Sequence, residues 1–158
     1  MTAQGTSTII ISFVISFILN AVPLPSFFLS VSIPWVAVVL AYWCIKSPQR
    51  ISVISAWLIG ILFDVLNGAV LGQHGLGFAL IAYLTLSYQR QFVFAPPIQQ
   101  TLFITLVILL YRGVTWQVYQ SFGTVSYPFS YIWSAFLVPL VWVLVSVTFY
   151  DRSLNRRR

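Results

Sequence analysis

The chain is expected to fold as an all-α integral membrane protein, a compact bundle of six transmembrane helices, and three observations lead there. Only 6% of the 158 residues are charged and the mean hydropathy is +0.94, where a soluble domain carries about a quarter charged residues. The apolar residues fall into six runs separated by prolines, glycines or short basic turns. Six crossings also bring seven of the eight bases to one side of the membrane, as the positive-inside rule requires. A net charge of +6 with pI ≈ 9.9 would point to nucleic acid in a soluble protein. Here the bases sit at helix ends and in the tail, so they read as topology determinants and no nucleic-acid partner is expected.

The expected spans, within a single domain 1–158, are 8–22, 27–45, 51–68, 74–89, 98–118 and 132–150, followed by a basic tail 151–158. The first stops at Pro23 and Pro25, which break a helix. No positive n-region precedes it, so it is expected to be retained rather than cleaved. The second contains Pro34, expected as a kink, and ends in Tyr42-Trp43, amphipathic rings suited to the interface. Lys46 to Arg50 form a basic turn. The third and fourth spans share the 38 residues from Ile51 to Tyr88, about 19 per crossing, which leaves almost nothing for a loop. The glycine-rich stretch from Asn67 to Gly77 must therefore turn at or within the membrane boundary, re-entrant or not. Irregular backbone at that depth is tolerated only where protein buries it or it lines a wet cavity. Pro96 and Pro97 open the fifth span, a permitted position, and an uncharged linker leads to the sixth. With six spans both termini face the cytoplasm. A five-span arrangement would send some bases across.

The stretch that organises these segments is Gly60-x-x-x-Asp64-x-x-x-Gly68-x-x-x-Gly72, continued by Gly75. Positions four apart lie along one slowly turning helix stripe. Small residues there let another backbone approach, so Gly60, Asp64, Gly68, Gly72 and Gly75 are candidate packing and partner-contact positions. On that reading Gly68→Leu disrupts association or folding by holding partner backbones apart.

Asp64 is one of two acids in the chain, and an ionised carboxylate in hydrocarbon needs a reason. Asp64 lies 13 residues after Ile51 and Arg112 lies 14 after Ile98, so both sit roughly 20 Å from the cytoplasmic side. An intramembrane ion pair Asp64–Arg112 is one arrangement. The other has Arg112 snorkelling to the outer surface and Asp64 bonding backbone amides freed by the glycine turn. His74, Trp116 and Tyr119 are candidates for an outer groove. His74 is expected to meet solvent or a loop carbonyl, with pH sensitivity as the sharper role.

Chemistry has little support. No second His, Cys or acid stands at ligand spacing from His74, and one cysteine, Cys44, excludes a disulfide framework and a multi-cysteine metal site. No nucleophile elbow or phosphate-binding loop occurs. Catalytic residues, metal and cofactor are all expected to be absent. Arg156, Arg157 and Arg158 are either a stop signal for the last span or a contact for anionic lipid or a cytoplasmic partner.

Ile33-Pro34-Trp35 with the apolar run to Tyr42-Trp43, then the Gly60 to Gly72 stripe, a short basic loop and an aromatic last span together resemble the rod shape-determining protein MreD family, over nearly the whole chain. The resemblance implies a non-enzymatic component of the bacterial inner membrane. It would associate with an MreC-type bitopic protein and, with the MreB filament, a SEDS glycosyltransferase and a class B penicillin-binding protein, support lateral peptidoglycan synthesis and rod shape. It also implies a fold similar to the substrate-binding component of energy-coupling-factor transporters. Arg112 departs from the acid or neutral residue expected there in relatives. The competing function is a small-solute uptake component with Asp64, Arg112 and Trp116 in a central polar pocket.

Overall fold

The computed structural model describes residues 4–21, 33–92, 95–122 and 137–148. Its elements are helical: α1 (Gln4–Ala21), α2 (Trp35–Lys46), α3 (Val53–Asn67), α4 (Gln73–Ser87), the single turn α5 (Gln89–Phe92), α6 (Pro97–Phe122) and α7 (Val138–Thr148). Among the described residues one stretch, Ile98–Ser121 in α6, is long and apolar enough to cross a membrane unaided, whereas Thr6–Ala21, Trp35–Lys46 and Val53–Asn67 are apolar but shorter. The Pro23–Pro25 break, the start of the expected second span and Arg156 to Arg158 lie outside the described residues.

α2 is the centre. Every residue from Val36 to Cys44 is buried, as expected of a helix apolar all round, which must be enclosed on all sides. It packs against α1, α4, α6 and α7. Pro34 does not kink it. With φ −83° and ψ 61° Pro34 stands outside the first turn, and its carbonyl accepts the first helical bond from Val38 N–H at 3.0 Å. Tyr42 and Trp43 are buried rather than interfacial, because the indole Nε1–H finds an internal acceptor, Ser12 Oγ of α1, at 2.7 Å. At the same end of the bundle Arg50 Nη1 donates to Thr6 Oγ1 at 3.0 Å, tying the basic turn to the start of α1.

The bundle has its apolar side outward. Ile98, Leu102, Leu106, Leu110 and Val114 form an exposed stripe along α6, and Ile54, Leu58, Leu62 and Val65 a second along α3. Ser12, Ser16, Asp64, Gln73, His74, Thr85, Arg112 and Thr115 are inside. A protein in water does not expose contiguous apolar faces of this extent without a partner to cover them, whereas hydrocarbon solvates them.

α3 and α4 make a tight hairpin. Ser52 and Ser55 cap the start of α3 reciprocally, each hydroxyl accepting the other's backbone N–H, at 3.1 and 2.9 Å. At the other end Gly68 adopts φ 61°, and the bonds from Ala69 N–H to Asp64 O (3.0 Å) and Gly68 N–H to Val65 O (3.4 Å) close a Schellman motif. Gly72, at φ 91°, opens α4. The two helices then run so close that a Cβ on Gly60 would stand 2.5 Å from Gly75 Cα and 2.7 Å from Gly75 N. Gly77 plays the same part toward α6, where its missing side chain leaves room for the Tyr111 ring.

The small residues of the stripe therefore do two different jobs. Gly60 and Gly75 are used against each other inside the chain, so neither is open to a partner. A Cβ on Gly68 or Gly72 would meet nothing within 4 Å. Gly68→Leu acts through the strain of a left-handed backbone, about 1–2 kcal/mol, and not by holding a partner's backbone away. Gly60→Leu should separate α3 from α4 and cost about 3 kcal/mol. Gly113→Ala, with nothing within 4 Å of its new Cβ, should be neutral or stabilising by up to about 1 kcal/mol. Unfolding midpoints of the purified variants in mixed micelles test the contrast.

Candidate functional site

The site grows out of the unmet backbone groups at the start of α4. The first turn of any helix leaves N–H groups without intrahelical acceptors, and Gly72 has no side chain to cap them. Asp64, one turn before the end of α3, supplies the acceptors from across the hairpin. Its Oδ2 accepts from Gly72 N–H at 2.9 Å and Gly75 N–H at 3.3 Å. Its Oδ1 accepts from His74 N–H at 3.0 Å and lies 2.6 Å from His74 Nδ1. A carboxylate can only accept, so Nδ1 carries the proton in this arrangement and donates it. The negative charge also faces the positive end of the α4 dipole. A carboxylate that is 0% exposed is thus fully occupied.

This corrects two expectations. Arg112 is not among the hydrogen-bond partners of Asp64: both oxygens are taken by α4, and the side-chain partner of the carboxylate is His74. His74 is not a surface group bonding a loop carbonyl. It is 5% exposed and sits among rings, with centroid distances of 4.8 Å to Phe63, 6.1 Å to Tyr111, 6.3 Å to Phe78 and 6.4 Å to Tyr119. The pair was reachable from the sequence. An acid one turn before a glycine, and a histidine two residues past a second glycine, place both at the mouth of one helical hairpin. What concealed it is that Asp64 and His74 are both assigned to this turn only once its two glycines are known to cap different helices.

His74 also lines a cavity of about 160 Å³. Asn20 from α1, Asn67 from α3, and Tyr111, Arg112 and Tyr119 from α6 complete its polar wall, and Ala37, Phe63 and Phe78 its apolar one. Arg112 is only 1% exposed, so the guanidinium is an interior charge and not a snorkelling one. Tyr119 shares the cavity wall with His74, while Trp116 is half-buried and outside that wall. Asn67 is fixed by donating to Phe63 O at 2.7 Å. Gln73 Nε2 reaches Thr115 O at 3.4 Å, tying the start of α4 to α6. No cluster of three metal-ligating side chains occurs among the described residues.

Asp64→Ala strands three amide donors and the His74 ring at once and should cost about 3 kcal/mol or more. In a double-mutant cycle, Asp64→Asn with His74→Gln should show coupling of about 1–3 kcal/mol, and Asp64→Asn with Arg112→Gln much less. Equal coupling in the two cycles would restore the Asp64–Arg112 pair.

A family described as rod shape-determining protein MreD matches over residues 1–151. The rod shape-determining protein MreD of Haemophilus influenzae is similar at 28% identity over 138 residues, covering 85% of this chain and 83% of that protein. No solved structure matches. Since the match takes in the capped hairpin, the cavity and nearly all the rest of the sequence, the chain belongs to the rod shape-determining protein MreD family.

Proposed function

We propose that this chain is a non-enzymatic scaffold of the cell-elongation machinery, held in the bacterial inner membrane by six spans with both termini in the cytoplasm. The observation that carries the reading is family membership across residues 1–151, because rod-shape determination is what that family is named for. The apolar exterior of α1, α3 and α6 supports a multi-pass bundle. The contact between Arg50 and Thr6 supports an N-terminus on the same side as the basic turn. On this reading the described helices are the described parts of the spans 8–22, 27–45, 51–68, 74–89, 98–118 and 132–150. The bundle shape similar to the substrate-binding component of energy-coupling-factor transporters belongs to the same proposal.

The partners proposed are an MreC-type bitopic protein and, in a larger complex, the MreB filament, a SEDS glycosyltransferase and a class B penicillin-binding protein. The work of the scaffold is then to hold them together during lateral peptidoglycan synthesis. Glycines 60 and 75 are spent inside the chain, so the partner-contact part of the glycine stripe moves to the exposed residues of the same helix, Ile54, Leu58, Leu62 and Val65. Side chains there meet lipid or another helix without disturbing the α3–α4 interface. Arg156, Arg157 and Arg158 are proposed as a contact for anionic lipid headgroups or a cytoplasmic partner.

A rod-shaped bacterium depleted of its own MreD and supplied with this chain decides the matter. Recovery of rod shape is expected from the unmodified chain. Asp64→Ala should restore rods poorly and accumulate at a lower level, while Leu58→Ala should accumulate normally and yet weaken co-purification of the bitopic partner. Round cells despite a normal amount of the unmodified chain in the membrane would remove the scaffold reading.

A further inference from the structure

We propose that the cavity beside His74 is a binding site for a neutral hydroxyl-bearing group, a small polyol or the glycerol headgroup of an uncharged lipid, with the Nε2 lone pair of His74 as its principal acceptor. This goes beyond the scaffold reading and does not depend on it. Two properties of the cavity carry the inference: the acceptors in its wall and its place in the bundle.

Asp64 holds one edge of the imidazole by accepting the Nδ1 proton at 2.6 Å. In this ring the edge opposite Nδ1 is the Cδ2–Nε2 bond, so the side of His74 that reaches the cavity wall carries Nε2. With Nδ1 protonated, Nε2 of the neutral ring is an acceptor only, and it has no partner among the described residues. Asn20 supplies a second acceptor. Its Nδ2 donates to Asn67 Oδ1 at 3.5 Å, and Asn67 Nδ2 in turn donates to Phe63 O at 2.7 Å, an order of bonds that leaves the Asn20 carbonyl oxygen to a ligand. Acceptors of this kind hold a group that brings its own proton and turn away a carboxylate or phosphate. The Arg112 charge in the same wall disfavours an ammonium. A hydroxyl is uncharged and both donates and accepts through one atom, which suits a wall where lone pairs and amide hydrogens stand together. A volume of about 160 Å³ is close to that of engineered cavities that admit benzene, enough for a molecule the size of glycerol. Phe63, Phe78 and Ala37 give its carbon atoms an apolar surface.

The position limits the source. Asn20 lies in the last turn of α1, Asn67 ends α3, His74 begins α4, and Pro34 and Val36 border the first turn of α2. The cavity is thus at the end of the bundle opposite Arg50 and Thr6. A hydroxyl arrives at that level either from the aqueous side, on a free polyol, or from the bilayer, on the headgroup of a diacylglycerol. The chemistry that holds it is the same in both cases.

The full chain contains one histidine, so with nitrogen-labelled histidine the ring of His74 is seen alone by solid-state NMR in phosphatidylcholine bilayers. Carbon-labelled glycerol is titrated into one set of samples, and a second set contains diacylglycerol labelled in its glycerol carbons. Carbon-labelled glycine betaine, which has no O–H or N–H to donate, serves as the comparison. The readout is through-space transfer between the ligand carbons and Nε2. Saturable transfer from glycerol identifies a free polyol, transfer from diacylglycerol alone identifies a lipid headgroup, and either supports the site. Betaine is expected to show none. Asn20→Ala removes an acceptor while enlarging the rim, and should weaken the apparent affinity about tenfold. No transfer from either hydroxyl compound means that the cavity takes water alone, which overturns the site. Transfer from betaine as strong as that from glycerol also overturns it, a comparison made on the unmodified chain and so independent of how any variant folds. An affinity unchanged or raised in Asn20→Ala does the same.

Discussion

The carboxylate of Asp64 is the constraint on which the rest of the bundle depends. It answers two problems with one group. The amide N–H groups at the start of α4 have no capping side chain of their own, and an acid in an apolar helix has no water. Placed one turn before the end of α3, Asp64 accepts from Gly72, His74 and Gly75 and from the His74 ring. That geometry requires α3 and α4 to approach closely, which in turn requires glycine at 60 and 75. Removing any one part releases the others, because an unmet buried donor costs as much as the bond it loses. The hairpin then presents His74 to the rings of Phe63, Phe78, Tyr111 and Tyr119, and α6 is positioned against it through Gly77 and Gln73.

Around this polar centre the distribution of residues is inverted relative to a water-soluble domain. Leucines, isoleucines and valines cover α1, α3 and α6, and the hydroxyls, amides and charges are inside. Between helices in hydrocarbon there is no hydrophobic gain from bringing leucines together. Close backbone packing, as at Gly60 and Gly75, and internal hydrogen bonds, as from Trp43 to Ser12, have to supply the association. The most apolar helix, α2, consequently occupies the middle, where its uniform surface can be met on every side.

Much of this was legible in the residues. The shortage of chain between Ile51 and Tyr88 called for a tight turn at the glycines, and Gly68 and Gly72 supply it with left-handed backbone. That Asp64 needs a partner followed from its charge alone, and one of the two arrangements weighed, bonding to freed amides, is close to what occurs. Its side-chain partner, His74, was within reach of the sequence but was passed over for Arg112. Depth along two helices places Arg112 level with Asp64, but depth says nothing of which way either side chain turns, and helix-end amides eight to eleven residues downstream are a nearer source of donors. Small residues carry a similar ambiguity. A stripe of glycines reads identically whether each one admits a neighbouring helix or permits a positive φ, and only the backbone separates Gly60 from Gly68. For Trp43, aromatic residues at a helix end suit an interface, and the acceptor that draws the indole inward, Ser12, lies 31 positions away.

The turn between α3 and α4 has a consequence for biosynthesis. All the groups that satisfy Asp64 lie within eleven residues of it in the chain, so they leave the ribosome within about a second or two of the acid. The carboxylate need never enter lipid bare and wait for a distant helix. The two helices can pass from the insertion machinery into the bilayer as one closed unit with its charge already enclosed. Arg112, by contrast, is contributed by a helix made later, so the interior it faces is one that the earlier hairpin has already shaped.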